Sequence, residues 1–461
     1  MPLVATYLEK LEDATPEDSR LHFFHSSGGM ASPVALSHLP LGLALSGPAA
    51  GVTAACKVSR ELGIGHAISL DMGGTSTDVC LIVNGHAQIS VDHSIGDRPL
   101  RQPMVAIESI GAGGGSIARL NFGTVEVGPD SAGADPGPAC YGQGGTAPTV
   151  TDANLVLGYL EHDQKLGENI RLDLDAARDA LSPIAREVGV TVTEAARGII
   201  RVANATMVRA LSRVTVERGI DGRMCDLLAF GGAGPMHAVE LARAFGIKRV
   251  IVPASSSTFS AVGCAGAEMK YAQQQTLRMA SSAWDRQRLS DIQASLVERL
   301  AGPVRVSGYR EDAIAVEYVA SIRYLGQSFP TEISAPNLDD VEKLSQQFCE
   351  THEHLYGFAT NEPWELCALR CTISASRDNV WLGDKISGAA PSQPRRIMPC
   401  WFGGGDAVET MRYERSKIAS EQYVAGPAII EDACSTIIVP PGASATVNQT
   451  GHIQIDVGSS L

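Results

Sequence analysis

A chain of 461 residues, 44% hydrophobic and 19% charged, has the composition of a globular protein and is long enough for two to four domains. Its net charge of −14 comes without a basic block, which argues against nucleic acid as a partner. No apolar run reaches the roughly 18 residues of a spanning helix. The start, MPLVATYLEKLEDATPEDSR, lacks the basic-then-apolar pattern of a secretory signal; the expectation is a soluble cytoplasmic protein with no membrane contact.

The chain opens with a short amphipathic helix, Leu3, Tyr7, Leu8 and Leu11 sharing one face. RLHFFHSSGGM follows as a short strand ending in a Ser-Gly turn. ALSGPAAGVTAACKVSRELGIG reads as a helix capped by Ser46 or Gly47, with Pro48 in its first turn and Gly63 at its end. HAISLD, TDVCLIV and HAQISVD then form an antiparallel meander. Asn84-Gly85 makes the second turn, and the polar stretch DMGGTSTD makes the first. Residues 108–150 are rich in Gly, Ala and Pro. Single polar residues and short apolar runs punctuate them, so they read as ordered cleft-lining loops and not as a flexible linker.

A long helix over Thr193–Val216 carries Ile199, Ile200, Ala203, Met207, Ala210, Leu211 and Val214 on one face. CDLLAF, GGAGP, MHAVELARAFG and KRVIVP then read as strand, loop, helix and strand, a βαβ unit with a glycine loop at the strand's C-terminal end. TFSAVGCAGAEM reads as a helix of small residues. Beyond residue 270 come a polar helix (WDRQRLSDIQASLVERL), strands in DAIAVEYVASIRYLGQSFPTEIS, a helix (LDDVEKLSQQFCETHEHLYG) and a strand (ELCALRCTISA). The stretch GAAPSQPRR is the best linker, and short β runs fill 396–461. The expected division is 1–270, 271–388 and 389–461.

Ten cysteines are scattered without a CxxC, a usage that fits a reducing compartment. Cys367 and Cys371, four apart on a strand, are expected to share a face as packing groups and not as a zinc pair. His352 and His354 do not share a helical face, which argues against a metal there.

DMGGTSTD has a chemical logic. Gly73 and Gly74 let backbone N–H groups approach an anion, and the Thr and Ser hydroxyls add donors. A carboxylate beside a phosphate repels it unless it holds a cation or positions water, so Asp71 and Asp78 point to phosphate with Mg²⁺. An Asp/Gly-rich hairpin turn with no site is the competing reading of the same residues. FGGAGP is a second glycine loop, 160 residues after Asp71 when counted to Gly231. It could face a nucleobase and ribose, or set a helix N-terminus against an anion. A meander turn, a late GGxGP loop and a tightly packed helix follow the order of the actin-like ATPase (ribonuclease H-like) fold.

The words LSGPAAGV, LDMGGTSTDV, IESIGAGGGSIARL, VGPDSAGADPGPACYGQGGTAPTVTDANLVLG, LLAFGGAGPMHAVELAR, IRYLGQS and GPAIIEDACSTIIVPPG occur in order from about residue 20 to 455. In them the chain resembles the A-type subunits of the hydantoinase/5-oxoprolinase family, whose relatives include acetone-carboxylase-type enzymes. The resemblance implies an α/β protein with an actin-like ATPase core, an α/β appendage and a small C-terminal β module. It implies ATP and Mg²⁺ as cofactors, and phosphorylation of a lactam or hydantoin carbonyl oxygen before ring-opening by water. A B-type subunit would carry the hydrolytic half in a hetero-oligomer. By the same resemblance Asp71, Gly73, Gly74, Thr75, Thr77 and Asp78 form the second phosphate loop, the two aspartates serving as catalytic and metal-holding groups. Gly231, Gly232, Gly234 and Pro235 form the nucleoside-facing loop.

One departure stands out. Family members usually carry an earlier region, about a domain long, with a first DxGGT-type loop, and nothing before residue 66 matches it. The expectation is therefore a core incomplete at its N-terminus, from a truncated or split protein. The alternatives are a non-catalytic scaffold for a B-type partner and a subunit of an ATP-dependent ketone carboxylase.

The loops with Gly113, Gly114, Gly115 and Ser116, and with Asp135, Cys140 and Asp152, are expected to shape a substrate or interdomain cleft. Cys140 as a nucleophile is disfavoured because phosphoryl activation needs none. His237 is read as a packing group more than a nucleotide contact, and Arg209, Arg213 and Arg218 as ion-pairing residues.

Overall fold

The computed structural model describes residues 2–16, 18–38, 40–91, 93–95, 98–100, 102–162, 165–166, 170–375 and 391–458. The chain builds two compact units. One is drawn from Met1–Thr53, Ile89–Ala106 and Gly263–Trp381, the other from Ala54–Gln88, Ile107–Val262 and Leu382–Leu461. No helix among the described residues is long and apolar enough to cross a membrane.

The second unit is organised by a nine-stranded mixed sheet. Its order is Glu108–Ile110, Thr77–Val83, His66–Met72, Asp226–Phe230, Arg249–Val252, Ile453–Asp456, Ser444–Val447 and Tyr423–Ala425, with His86–Ala87 beside Thr77–Val83. The meander expected around DMGGTSTD is present, His66–Met72 pairing antiparallel with Thr77–Val83. The βαβ unit is present as well: Asp226–Phe230 runs parallel to both His66–Met72 and Arg249–Val252. These strands are apolar on both faces, as a covered parallel sheet requires (Ile68, Leu70, Leu227, Leu228, Val250 and Ile251 are all buried). The helix Val192–Val216 buries the face named from its periodicity. It starts at a capping box in which Thr191 and Glu194 satisfy each other's backbone donors. Helix Gly234–Phe245 adds Ala238, Leu241 and Ala242 to the same core. The last strand, Ile453–Asp456, joins this sheet antiparallel to Arg249–Val252.

The first unit has a six-stranded sheet ordered Phe23–His25, Gly29–Ala31, Met269–Ala280, Trp364–Ala375, Ile314–Tyr324 and Thr331–Ser334. Helices Arg286–Val306 and Val341–Tyr356 supply Leu289, Leu296, Leu300, Leu344 and Phe348 to its core.

Several local expectations need correction. Helix Pro2–Asp13 exists, but Leu3 and Tyr7 are exposed, and its packed stripe is Val4 and Leu8. Cys367 and Cys371 do not share a face. Ser321 pairs with Ala368 and Ile322 with Leu366, which leaves Cys367 as the extra residue of a β-bulge; the bulge shifts the alternation and puts Cys371 in the core. Only His86–Ala87 of the third meander strand pairs with Thr77–Val83, while Ile89–Ser90 pairs with Met104–Val105; Asp92 lies outside the described residues. Residues 388–390 of the linker stretch also lie outside them. Its end is not a free tether, because Arg395 and Arg396 both pair with buried Glu161.

Candidate functional site

Strands His66–Met72 and Thr77–Val83 are joined by a turn closed by Gly73 N–H donating to the Ser76 carbonyl at 3.1 Å. That short connection sets the register: Asp71 lies directly across from Asp78. The row continues on both sides, with Phe230 beside Asp71 in the parallel strand and Ser109 beside Asp78 in the antiparallel one. The residue after Phe230 is Gly231, so the register alone carries the second glycine loop to the aspartates.

Contact is close. Gly231 has φ +81°, and a Cβ there would sit 2.5 Å from Asp71 Oδ1 and from the Met72 carbonyl. Only glycine fits such a position. The loop is held by Gly231 N–H to the Ser256 carbonyl at 2.9 Å and by Ala233 N–H to the Met72 carbonyl at 3.0 Å. Helix Gly234–Phe245 then starts with Pro235 in its first turn. Among the described residues, the N–H groups of Gly74, Thr75 and Gly232 make no hydrogen bond, and Gly74, Thr75 and Gly232 are exposed.

The two carboxylates are electrostatically frustrated. Burial, then the Asp78 charge, pushes Asp71 up to about 6, against a hydrogen bond from Ser260 Oγ to Asp71 Oδ2 at 3.3 Å. Asp78 is raised too, by burial, with the Ser109 hydroxyl opposing. Asp78 Oδ1 is buried and makes no hydrogen bond among the described residues. Two carboxylates opposite each other, one with an orphaned oxygen, repel when both are ionised. No group of three His, Cys, Asp or Glu side chains able to hold a metal occurs among the described residues. The facing carboxylates and the unpartnered Asp78 Oδ1 are compatible with Mg²⁺, which commonly takes one or two carboxylates and fills its remaining positions with water and phosphate oxygens.

The other residues named from sequence divide into two groups. Gly113, Gly114 and Gly115 lie against the turn from behind. Gly114 N–H donates to the Gly73 carbonyl at 3.0 Å and Gly115 N–H to the Gly74 carbonyl at 2.6 Å. A Cβ on Gly113 would be 2.7 Å from Gly74 and Thr75 backbone atoms. Thr77 is fully buried and donates its hydroxyl to the Ala112 carbonyl, and Ser116 Oγ accepts from Gly113 N–H at 2.8 Å. These groups shape the turn and have no hydroxyl left to face a ligand.

Asp152 is fully buried as a capping group, accepting from Cys140 N–H (2.8 Å), Thr149 N–H (2.9 Å) and Thr149 Oγ1 (2.7 Å). Cys140 is buried, and burial with neighbouring Asp152 drives its thiol far up, away from nucleophilic chemistry. Asp135 is exposed. His237 is buried between Asn204 Oδ1 (2.8 Å from Nδ1) and Asn154 Nδ2 (3.4 Å from Nε2), and burial pulls it down to about 4; it is a neutral packing residue. Arg213 pairs with Glu108 and Glu217, as expected, whereas Arg209 donates to Thr206 Oγ1 at 3.0 Å and Arg218 to the Val214 carbonyl at 3.2 Å.

Sequence reasoning missed Ser109, Ser256 and Ser260. Two of them sit inside motifs already singled out, IESIGAGGG and TFSAVG, but a serine among small residues carries no signal of what it faces.

Residues 1–273 match the Hydantoinase/oxoprolinase family model and residues 277–455 the Hydantoinase/oxoprolinase C-terminal domain. The chain is 36% identical to caprolactamase subunit alpha of Pseudomonas jessenii, across 99% of this chain and 68% of that protein. It is 31% identical to 5-oxoprolinase 1 of Arabidopsis thaliana, across 99% of this chain but 38% of that protein. It is 29% identical to the acetone carboxylase beta subunit of Xanthobacter autotrophicus, across 86% and 58%. The crystal structure of ATP-dependent caprolactamase from Pseudomonas jessenii matches with a TM-score of 0.87 at 35% identity, covering 99% of this chain and 68% of that one. The nucleotide-free acetone carboxylase structure matches with a TM-score of 0.77 at 26% identity, covering 98% and 67%. With two family models covering nearly its whole length, the chain belongs to the hydantoinase/oxoprolinase family.

Proposed function

We propose that this chain is the A-type subunit of an ATP-dependent enzyme that phosphorylates a cyclic amide carbonyl oxygen before ring-opening hydrolysis. One observation carries the reading: Asp71 and Asp78 face each other across the sheet, and the Gly231 loop closes directly onto Asp71. The free N–H groups of Gly74 and Thr75 bind phosphate oxygens at the turn. Gly231, Gly232, Gly234 and Pro235 form the nucleoside end. This half of an actin-like ATPase core orients the nucleotide, and the Gly113–Gly115 loop keeps the turn rigid.

Mg²⁺ held by Asp71 and Asp78 would neutralise the phosphates that the bare carboxylates repel. Phosphorylating the carbonyl oxygen turns a poor leaving oxygen into a good one. Relatives named for caprolactam and oxoproline support a cyclic amide as substrate, and relatives named as alpha and beta subunits support a B-type partner.

Calorimetric titration with ATP and Mg²⁺ comes first. Phosphate release is then compared for caprolactam, hydantoin and 5-oxoproline against acetone with bicarbonate, with and without a co-expressed B-type subunit. Release driven by a ring amide is the expected result. Release driven only by acetone with bicarbonate replaces the reaction with ketone carboxylation. No ATP heat from a chain that still co-purifies with the partner reduces it to a scaffold.

A further inference from the structure

Arg415 stands in the charged stretch YERSK. The structure buries it: the side chain is 9% exposed. Its guanidinium is spread over three segments of chain. Nη2 donates to the carbonyls of Pro253 (2.6 Å), Gly451 (3.2 Å) and Val252 (3.4 Å), and Nη1 donates to Ser256 Oγ (3.3 Å). The nearest carboxylate, Asp432, is 3.5 Å away. A buried cation that spends its donors on backbone carbonyls fixes the path of that backbone.

What it fixes is the segment 252–260, and that segment touches the site twice. The Ser256 carbonyl receives Gly231 N–H at 2.9 Å, and Ser260 Oγ donates to Asp71 Oδ2 at 3.3 Å. A third link comes from the turn that carries Asp432, closed by Asp432 N–H to the Ser435 carbonyl at 2.9 Å. The Cys434 carbonyl of this turn lies 3.5 Å from where a Cβ on Gly232 would be. The motif EDACST thus supplies both the acidic partner of Arg415 and a wall of the glycine loop.

We infer that Arg415 is a positioning residue for the glycine loop, acting through Ser256 on Gly231 and through the segment to Ser260 on Asp71. The loop's role in nucleotide binding rests on the function proposed above; the pinning does not. Lysine cannot substitute, because one ammonium cannot reach Ser256, the Val252 and Pro253 carbonyls and the Gly451 carbonyl of a second segment together.

The test uses the full chain without ligand. Hydrogen exchange is followed in the peptide containing Gly231–Ala233 and in the strand Thr77–Val83 as control. Arg415→Lys is expected to speed exchange in the loop about tenfold or more and leave the strand unchanged. Ser256→Ala, which removes only the hydroxyl contact, gives a smaller rise in the same peptide. In turnover, Arg415→Lys raises KM for ATP by about tenfold with kcat within a factor of two, a split that general loss of folding does not produce. Unchanged loop exchange in folded Arg415→Lys overturns the inference, and so does an equal rise in loop and strand. Should Arg415→Lys not fold, Ser256→Ala decides it: no rise confined to the loop is also an overturning result. A wild-type chain that fails to bind ATP removes the nucleotide reading and leaves the exchange result standing.

Discussion

Asp71→Asn separates what the carboxylate pair costs from what it does. Folding moves Asp71 from 3.8 to about 6. Between these values the folded chain holds a proton that the unfolded chain has released, so the group's favourable contribution is full below 3.8 and is lost as pH rises through 6. Two pKa units at about 1.4 kcal/mol each set an upper limit near 3 kcal/mol at neutral pH, and water at the open side of the site lowers the figure to about 2 kcal/mol. The introduced amide is isosteric and keeps an acceptor for Ser260, so the substitution removes the repulsion without leaving a hole.

The expected result near pH 8 is a melting temperature roughly 4–8 °C above wild type, at about 2–4 °C per kcal/mol for a unit of this size. The gain shrinks as pH falls from about 6 toward 4. Buried His237, pulled down to about 4, titrates through the same range with the opposite sign. It is present in both proteins, so the difference between variant and wild type cancels it. Calorimetric melting across pH gives the curve, and titration with Mg²⁺ and ATP gives the functional half, in which the variant shows no binding. A variant less stable than wild type near pH 8, or a gain that ignores pH, refutes the frustrated-pair argument.

Gly231→Ala forces a Cβ to 2.5 Å from Asp71 Oδ1 at φ +81°. It is expected to cost about 1–3 kcal/mol in thermal unfolding and to abolish ATP binding. Gly74→Ala meets nothing within 4 Å; stability stays within about 0.5 kcal/mol while ATP affinity falls, because a methyl group then blocks the phosphate's approach to the turn. Asp152→Ala leaves two backbone N–H groups and a hydroxyl without their acceptor. Denaturant melts should show a loss of about 2–4 kcal/mol, with KM for ATP unchanged in the folded fraction. Glu431→Gln strips the carboxylate from Arg412, which is fully buried; a loss of about 3–5 kcal/mol is expected in the same melts, since an unpaired buried charge is left behind.

How much of this could be read from sequence depends on the range of the interaction. The first two strands of the meander, the βαβ unit and the helix Val192–Val216 rest on local periodicity and turn chemistry, and each is where the sequence puts it. The Asp71–Asp78 pairing is also local, since a short turn leaves little freedom of register. The pairing of Ile453–Asp456 with Arg249–Val252 spans about two hundred residues and has no local signature. The bulge at Cys367 is invisible for a related reason, because alternation in the sequence does not announce a residue left out of the ladder.

The site itself shows a second limit. Loops rich in Gly, Ser, Thr and Asp bind phosphate with outward donors and fold themselves with inward ones, and composition does not separate the two. Thr77, Ser116 and Asp152 turn inward, and the N–H groups of Gly74 and Thr75 stay open. For Asp152 a discriminating signal was present: Thr149 stands three residues before it, the spacing of a capping box ahead of an apolar run. Capping signatures should therefore be assigned before ligand roles in any glycine-rich stretch, because a carboxylate already accepting three hydrogen bonds has little capacity left for a metal or a substrate.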